Sequence, residues 1–249
     1  MYATPYPLNK ESDNVILEEF IKENYGKVKA KEIAKLYNVS LYKVYGLAKK
    51  LKIKTNKSRN KNFIINKDME QILLSGKFGD GNFRRMGNGA IYREKHAMDE
   101  KDYCLWKYNM LGDLTSLNKI YYYKDLYVNF DTSNSKELLY YINETKENMI
   151  DKLSDLGLLL YFLDDGWSLK RKGYYAGAIS SVKLTFEQMC LIAEKYRKLC
   201  NCNIKVSQWH KPSGQEPYVI YIQNITKLIN IANEYKMQNL DIYIKKFKK

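Results

Sequence analysis

The segment that decides the fold reads Leu156-Gly-Leu-Leu-Leu-Tyr-Phe-Leu-Asp-Asp-Gly-Trp-Ser-Leu-Lys-Arg-Lys172. Its first part is an uncharged, apolar run that predicts a buried helix, and this run ends directly in Asp164, Asp165 and Gly166. Charged side chains are rarely buried without a partner. Two adjacent acids at the end of such a helix therefore indicate that this end faces a functional site. The basic residues that follow predict a strand.

An upstream stretch has the same order of features and reads Gln71-Ile-Leu-Leu-Ser-Gly-Lys-Phe-Gly-Asp-Gly-Asn-Phe-Arg-Arg85. Its aspartate, Asp80, stands before a glycine just as Asp165 does. Cys104 and Cys190 follow these two aspartates at nearly the same distance along the chain. The two copies predict a duplicated unit of fewer than about 100 residues.

Both stretches closely resemble the paired signature helices of the LAGLIDADG homing endonucleases, in variant forms that end in Gly-Asp-Gly and Asp-Asp-Gly. The resemblance covers about residues 64 to 249 and implies the α+β fold of that family. In that fold, tandem pseudo-two-fold α-β-β-α-β-β-α repeats form a saddle of β-strands. We therefore expect a first half at residues 64–150 and a second half at residues 151–249.

Apolar periodicity and turn residues give each half the same order of elements. The predicted helices lie at residues 68–79, 99–111 and 136–147 in the first half and at 152–163, 186–199 and 225–235 in the second. The predicted strands lie at residues 82–86, 90–97, 119–123 and 126–131 and at 168–172, 174–182, 203–209 and 217–223. Pro212 and Gly214 mark the turn of the last hairpin.

The chain of 249 residues carries a net charge of +14, with an isoelectric point near 9.3. Such a field attracts phosphate backbones, so we expect double-stranded DNA as the partner and the chain's own intron RNA as a further candidate. A membrane would attract the same charge, but there is no run of about 18 uncharged apolar residues and no signal peptide. The four cysteines form no Cys-x-x-Cys pair, which argues against a zinc site or disulfide framework. We expect a soluble intracellular monomer, cytoplasmic, organellar or phage-encoded.

Residues 1–51 predict a small all-α domain that lies outside the family resemblance. Its apolar spacing indicates helices at residues 14–24, Ala30–Tyr37 and Leu41–Lys50. The inward-facing candidates are Val15, Ile16, Phe20 and, less clearly, Leu17 on the first helix, and Ile33 and Ala34 on the second.

The turn between the second and third helices, with Asn38 in the turn and Ser40 as the next cap, resembles a helix-turn-helix. Its outer face would offer a DNA groove the side chains of Tyr42, Lys43, Tyr45 and Lys49. The alternative is an ordinary three-helix unit with a solvated lysine face. Through residue 61 the net charge is +8 (14 − 6), which favours DNA, and residues 52–63 read as a basic linker.

Phosphodiester hydrolysis needs a divalent metal that stabilises charge and activates water. Two carboxylates beside the carbonyl ends of two helices form an oxygen-rich site that suits Mg²⁺. By the family resemblance, Asp80 and Asp165 are the catalytic acids and share two or three Mg²⁺ ions, and Gly79 is expected in the metal site. Asp164 precedes the matched position, so we expect it at the metal site as a residue that tunes the acids. Ser75 and Gly79 give the first helix a small-residue face for close packing. The second helix has no such pair at the matching positions.

The family also places a lysine near the end of each half. The resemblance implies Lys245 for the second half, with Lys246 beside it, and position alone suggests Lys146 for the first. Surface lysines without a catalytic role are the alternative for both halves. The two histidines, His96 and His210, are too few for a histidine-based nuclease centre, so we expect both at the surface or facing DNA.

Sequence readout is expected from the strands, because a two-stranded ribbon fits the major groove and alternate side chains share one face. Ile204 and Val206 are expected to face the covering helices, and the positions between them to face DNA. The candidate DNA contacts on or near strands are Arg84 or Arg85, Arg93, Lys95, Lys170, Lys172, Lys183, Lys205, Ser207, Trp209 and Gln223.

The sequence thus favours a site-specific, metal-dependent DNA endonuclease that makes a double-strand break at a long target. A free-standing or intron-encoded enzyme fits best, because no splicing-domain signature is visible. Two alternatives stay open. One is a non-cutting transcriptional regulator, although both acids are present, and the other is an RNA maturase that assists intron splicing.

Overall fold

The computed structural model describes residues 10–25, 28, 30–53, 63–115, 120–209 and 217–248. The chain divides into two units, Met1–Arg59 and Asn60–Lys249. Most of the predicted basic linker, His210 and the turn at Pro212 lie outside the described residues. No helix in the described ranges combines the length and the apolar character needed to cross a bilayer.

In its described residues the first unit contains three helices: α1 (Lys10–Asn24), α2 (Ala30–Leu36) and α3 (Leu41–Lys50). Their buried core consists of Leu17, Ile21, Ile33, Ala34, Val44 and Ala48. The turn chemistry predicted for this unit is confirmed. Asn38 adopts a left-handed φ of 48°, and the Ser40 hydroxyl accepts a hydrogen bond from the Lys43 N–H at 3.2 Å.

The predicted buried face of α1 is wrong at Val15 and Ile16 and confirmed at Leu17 and Phe20. Val15 and Ile16 are 57% and 45% exposed, whereas Leu17 and Ile21 are buried. Each helical residue turns the side chain by about 100°, so Leu17 and Ile21, one turn apart, share a face that Val15 and Ile16 do not. Phe20 packs beside this face against the Tyr37 ring, with the ring centroids 5.2 Å apart.

Two helices lie at the centre of the second unit, α4 (Lys67–Phe78) and α8 (Asp155–Asp165), and they pack against each other. A four-stranded antiparallel sheet follows each helix. The first sheet has the order β1-β2-β4-β3, with strands Asn82–Met86, Gly89–Ala97, Ile120–Tyr123 and Tyr127–Asp131 numbered along the chain. The second has the order β5-β6-β8-β7, with strands Gly166–Arg171, Tyr174–Ser181, Ile204–Gln208 and Tyr218–Ile222.

The strand register repeats between the two halves. Asn82 pairs with Arg93 in the first sheet, and Trp167 pairs with Ala178 in the second. Asn82 follows Asp80 at the same distance as Trp167 follows Asp165, so the first hairpin of each half is placed identically relative to its acid. The next strand breaks this repeat. Arg93 pairs with Asp131 and Ala178 with Tyr221, and the second-half partner lies further along its repeat than the first-half partner does.

The remaining helices cover the sheets and complete the predicted α-β-β-α-β-β-α order in each half. They are α5 (Lys101–Met110), α6 (Tyr140–Asn143), α7 (Lys146–Asp151), α9 (Phe186–Cys200), α10 (Thr226–Glu234) and α11 (Asp241–Tyr243). Short 3₁₀ turns occur at Met98–Glu100, Gly112–Leu114 and Glu137–Leu139, and a π-helical segment at Ile244–Lys248.

Two predicted helix boundaries are wrong. The helix predicted at residues 136–147 breaks at Glu144, whose backbone is extended, and α7 starts anew because the Thr145 hydroxyl accepts a bond from the Asn148 N–H at 3.3 Å. The helix predicted at residues 152–163 begins later, after the extended residue Ser154, and continues through Asp165. The two acids of the second copy therefore belong to the last turn of α8.

Glycines allow α4 and α8 to approach closely. A Cβ atom at Gly79 would lie 2.7 Å from both Cβ and Oδ2 of Asp164, and one at Gly157 would meet the Gln71 side chain. The Gln71 amide fixes the start of α8 by accepting from the Ser154 N–H at 2.8 Å and donating to the Lys152 carbonyl at 3.2 Å. Gly157 thus supplies on α8 the small residue that the matching positions lack.

We expect Gly79→Ala to destabilise the second unit by about 1–3 kcal/mol, because the added methyl would overlap the fixed Cβ of Asp164 rather than a mobile side-chain end. The measurement is urea unfolding followed by tryptophan fluorescence. All three tryptophans lie in this unit, so the signal reports on it alone.

The matched control is Gly46→Ala on α3, where an added Cβ would meet no atom within 4 Å. This change should leave the tryptophan transition unmoved and should stabilise the first unit by about 0.5–1 kcal/mol through helix propensity. Equal tryptophan transitions for Gly79→Ala and the unmodified chain would contradict the close approach of the two helices.

Candidate functional site

The two signature aspartates come together at the carboxyl ends of α4 and α8. Asp80 follows Gly79, the cap of α4, and Asp165 is the last residue of α8. The residues directly before them are in contact, because a Cβ atom at Gly79 would lie 2.7 Å from Asp164, and the charge of Asp80 raises the pKa of Asp165. The negative ends of both helix dipoles meet at the same place, so this site carries concentrated negative charge.

Burial and the repulsion between neighbouring carboxylates raise the pKa of both aspartates. Burial raises the pKa of Asp80 to about 6, with a further contribution from Asp164. Burial likewise raises the pKa of Asp165 to about 7, with contributions from Asp164 and Asp80. A cation bound between these oxygens would relieve the repulsion, and hard divalent cations prefer such oxygen donors.

Two lysine ammonium groups bind main-chain carbonyls next to the two acids. The Lys183 Nζ donates a hydrogen bond to the Gly79 carbonyl oxygen, next to Asp80. The Lys246 Nζ donates to the Gly166 carbonyl oxygen, next to Asp165. Burial lowers the pKa of Lys246. The charges of both ammonium groups lower the pKa of Asp165.

The two lysines singled out as catalytic from the sequence occupy other positions. The Lys245 Nζ binds Glu100 Oε1 at 2.8 Å and Asp99 Oδ2 at 3.2 Å. The Lys146 Nζ donates to the main-chain carbonyl of Lys183. Position in the sequence cannot separate Lys245 from its neighbour, because the π-helical turn decides which side chain points to the acid.

Asp164 does not share the open side of the site. Its side chain is fully buried, and Oδ1 accepts hydrogen bonds from Lys107 Nζ at 2.7 Å and from the Tyr103 hydroxyl at 2.8 Å. Lys107 also binds Glu94 Oε1 at 2.5 Å, and neither of these two side chains has exposed surface. Burial would lower the pKa of Lys107, but Asp164 and Glu94 outweigh burial and raise it.

His96 is buried, so its predicted surface position is wrong. Its side chain has no exposed area, and Nε2 lies 2.9 Å from Glu94 Oε1. Nδ1 lies 3.2 Å from Glu100 Oε2 and 3.6 Å from Asp80 Oδ2. Burial would lower the pKa of His96, but the hydrogen bonds to Glu100 and Glu94 raise it to about 9. Strand alternation from the buried Tyr92 was the signal for this inward position.

Buried charged groups around the site were missed by sequence reasoning. Glu94 and Lys107 lie on inward faces of β2 and α5, where charge is uncommon. For Glu94, the sequence signal was the strand alternation that also places His96. For Lys107, it was the four-residue spacing from Tyr103, which puts both on one face of α5. Lys107 also binds Asp164 on α8, which is remote in sequence.

Two candidate ligand sets lie beside Asp80 and Asp165, in addition to that pair of acids. Ligand atoms of Asp80, His96 and Glu100 lie within 4.8 Å of one another, as do those of Glu94, His96 and Asp164. The second set already holds the Lys107 ammonium, which disfavours a cation there. The pair Asp80 and Asp165 fits a magnesium-type ion better, because its donors are oxygens. Asp164 Oδ2, buried and without a hydrogen-bond partner in the described residues, is available at its edge.

The strand register sorts the candidate DNA contacts of the first sheet. Arg84, Arg93 and Lys95 lie on the face opposite the core. Arg93 is held by Asp131 through bonds of 2.6 and 2.8 Å. Arg85 points to the helix-covered side, where it donates to Asn143 Oδ1 at 2.6 Å. Of the pair Arg84 and Arg85, the register therefore favours Arg84.

In the second sheet, Lys205, Ser207 and Trp209 share the open face, and Ile204 and Val206 pack on the core as expected. The Trp209 ring lies 6.2 Å from that of Trp167 on this face. The register gives Arg171 this face and turns Lys170 to the other. The other exposed candidates of this half are Lys172, Lys183 and Gln223.

The first unit exposes its predicted DNA-facing side chains. Tyr42 and Tyr45 are 87% and 49% exposed, and Lys43 and Lys49 are exposed too. All four lie on α3, away from its buried residues Val44 and Ala48. The face is therefore free of the unit's own core.

We expect Lys107→Met to cost about 3–5 kcal/mol of unfolding free energy, because it leaves buried carboxylates at Asp164 and Glu94 without their ammonium. Urea unfolding followed by tryptophan fluorescence measures this. Adding Glu94→Gln and Asp164→Asn should recover much of the loss. The exposed control Lys198→Met should stay within about 0.5 kcal/mol. If Lys107→Met also cost no more than about 0.5 kcal/mol, the result would contradict the buried ion pairs of Lys107 with Asp164 and Glu94.

Comparison with known proteins supplies structural relatives. No protein-family model matches the chain. Over 133 residues it is 26% identical to the protein RecA of Mycolicibacterium flavescens. The matched region covers 48% of this chain and 31% of that protein. The chain thus spans about a third of the curated relative that it matches.

The structure is similar to that of the homing endonuclease I-WcaI bound to its DNA recognition sequence, with a TM-score of 0.55 and 16% identity over 71% of this chain and 86% of that chain. It is also similar to I-DmoI in complex with DNA and Mn, with a TM-score of 0.42 and 16% identity over 68% and 96% of the two chains. With its two central helices and two four-stranded antiparallel sheets, the second unit has the fold of the LAGLIDADG homing endonucleases.

Proposed function

We propose that the protein is a site-specific endonuclease of the homing type that hydrolyses both strands of double-stranded DNA with Mg²⁺. The observation that carries the proposal is the meeting of Asp80 and Asp165 at two adjacent helix ends, where Gly79 packs against Asp164 and two lysines bind the neighbouring carbonyls. The similarity to I-WcaI, a homing endonuclease bound to DNA, and the net charge of +14 support it.

Each structural part has a role in this proposal. Asp80 and Asp165 would hold Mg²⁺, with Asp164 at the edge of the site, and the bound ion would supply charge stabilisation for the phosphate and activation of water. Lys183 and Lys246 place positive charge where a scissile phosphate on each strand would lie. The open faces of the two sheets bind DNA, each face over one half of the target.

The first unit adds affinity in this proposal. We assign it the role of a helix-turn-helix that inserts α3 into a neighbouring groove, with Tyr42, Lys43 and Lys49 in contact with DNA. Several of its lysines would contact phosphates, which carry most of the affinity and little of the specificity.

We expect the purified chain with Mg²⁺ to cut members of a randomised DNA library on both strands, and EDTA to stop cutting. On a recovered target, Asp165→Asn should lower the cleavage rate at least about a hundredfold while binding persists, because a charge-stabilising group is lost and the DNA surface is kept. Gel analysis of cleavage and a binding titration measure this. The exposed control Asp151→Asn should cut normally.

Intact DNA in the presence of tight, Mg²⁺-independent binding would favour the regulator over the nuclease. Preferential binding of structured RNA without cleavage would favour the maturase.

We expect Lys246→Met to slow cutting about tenfold or more, because it removes the ammonium that binds the Gly166 carbonyl next to Asp165. Strand cleavage rates under single-turnover conditions measure the loss. The exposed Lys248→Met, close by on the same segment, is the matched control and should cut at the normal rate. Equal rates for the two variants would remove Lys246 from the mechanism.

A further inference from the structure

The two acids have unlike surroundings, although the strands beside them follow the same register. Arg93 on β2 and Ala178 on β6 occupy equivalent positions in the two hairpins. Counting onward from each along its strand, His96 corresponds to Ser181 and Glu94 to Ile179. The buried pair His96 and Glu94, on the core side of Asp80, is therefore not repeated on the core side of Asp165.

Beneath Asp80, the imidazole of His96 is held from several sides. Nε2 is bound by Glu94 at 2.9 Å and Nδ1 by Glu100 at 3.2 Å. The ring of Tyr103 packs edge-on against it, with centroids 5.1 Å apart and planes at 69°. Lys245 binds Glu100 in turn at 2.8 Å. With no exposed area, the ring has little freedom to rotate.

The Asp80 carboxylate meets this fixed ring at ion-pair distance, because Oδ2 lies 3.6 Å from Nδ1. Asp80 therefore contacts a buried imidazole that is itself held by other side chains. The Asp80 side chain is 37% exposed, so His96 contacts it from the buried side and leaves the exposed side to a ligand.

In the second half, Ser181, the residue that corresponds to His96, makes a different contact. The Ser181 hydroxyl accepts a hydrogen bond from the Lys183 N–H at 3.1 Å. The cations that act on Asp165 are Lys183 and Lys246. Both reach the site on long side chains, which are more easily displaced than a buried ring.

We propose that His96 is a positioning residue for Asp80 alone, so that the two strands are cut by differently supported acids. The proposal rests on the proposed nuclease function. Removing His96 would release one acid and leave the other in place, and the enzyme would then nick one strand selectively.

The test uses the full chain, Mg²⁺ and a duplex target recovered with the unmodified protein, with a different dye on each 5′ end. With His96→Ala, we expect cleavage of one strand to slow about tenfold or more and the other to stay within about twofold, because displacing an acid by an ångström has effects of this size. Nicked duplex should accumulate.

Two conservative variants separate positioning from folding. Asparagine places its amide nitrogen near the position of Nδ1, so His96→Asn should restore part of the slowed rate. Glutamine resembles Nε2 instead, so His96→Gln should restore less. Tyr196→Phe is the matched control, since it removes a buried 2.6 Å hydrogen bond to the Leu158 carbonyl on α8 and should affect both strands alike.

Tryptophan-monitored unfolding of every variant shows how much of each is folded at the assay temperature. Equal slowing of both strands by His96→Ala, or no slowing, would overturn the role of His96 while leaving the nuclease intact. Failure of the unmodified protein to cut any DNA would overturn the nuclease function, and this proposal with it.

Discussion

The close packing of α4 against α8 is the constraint on which the rest of the second unit depends. It is set by two glycines, Gly79 facing Asp164 and Gly157 facing Gln71, each without room for a side chain. Because both helices end at the same level, their terminal carbonyls and acids are forced together. The sheets extend outward from these ends, so the distance between the helices also fixes the relation between the two sheets.

This arrangement brings a cost in buried charge that the fold offsets locally. Asp164 stands where the first helix has Gly79, and a carboxylate at that depth needs compensation. Lys107 provides it, and Glu94 and His96 extend the compensation toward Asp80. Taking such groups out of water costs several kcal/mol per ion before their attraction is counted. A cluster of this kind contributes more to geometry than to net stability.

The features that follow from local pattern were predictable from sequence. The apolar run before Asp164 and its upstream copy predicted the two central helices, and the spacing of the copies predicted the repeated strand order. Prediction failed for His96, which was assigned to the surface although the alternation of β2 turns it inward. The directions of Lys245 and Lys246 were not predictable, because a π-helical turn sets them. The break at Thr145 turned on a single capping hydroxyl.

The two halves are imperfect copies, because the spacing that relates β2 to β6 is shorter than the spacing that relates β4 to β8. Where the first sheet presents the pair Arg93 and Asp131, the second presents Ala178 and Tyr221. Two identical subunits would impose inverted repetition on whatever they bind. Two different halves in one chain do not impose inverted repetition. A DNA duplex that fits both sheets would therefore have two half-sites of different sequence and would not be a palindrome.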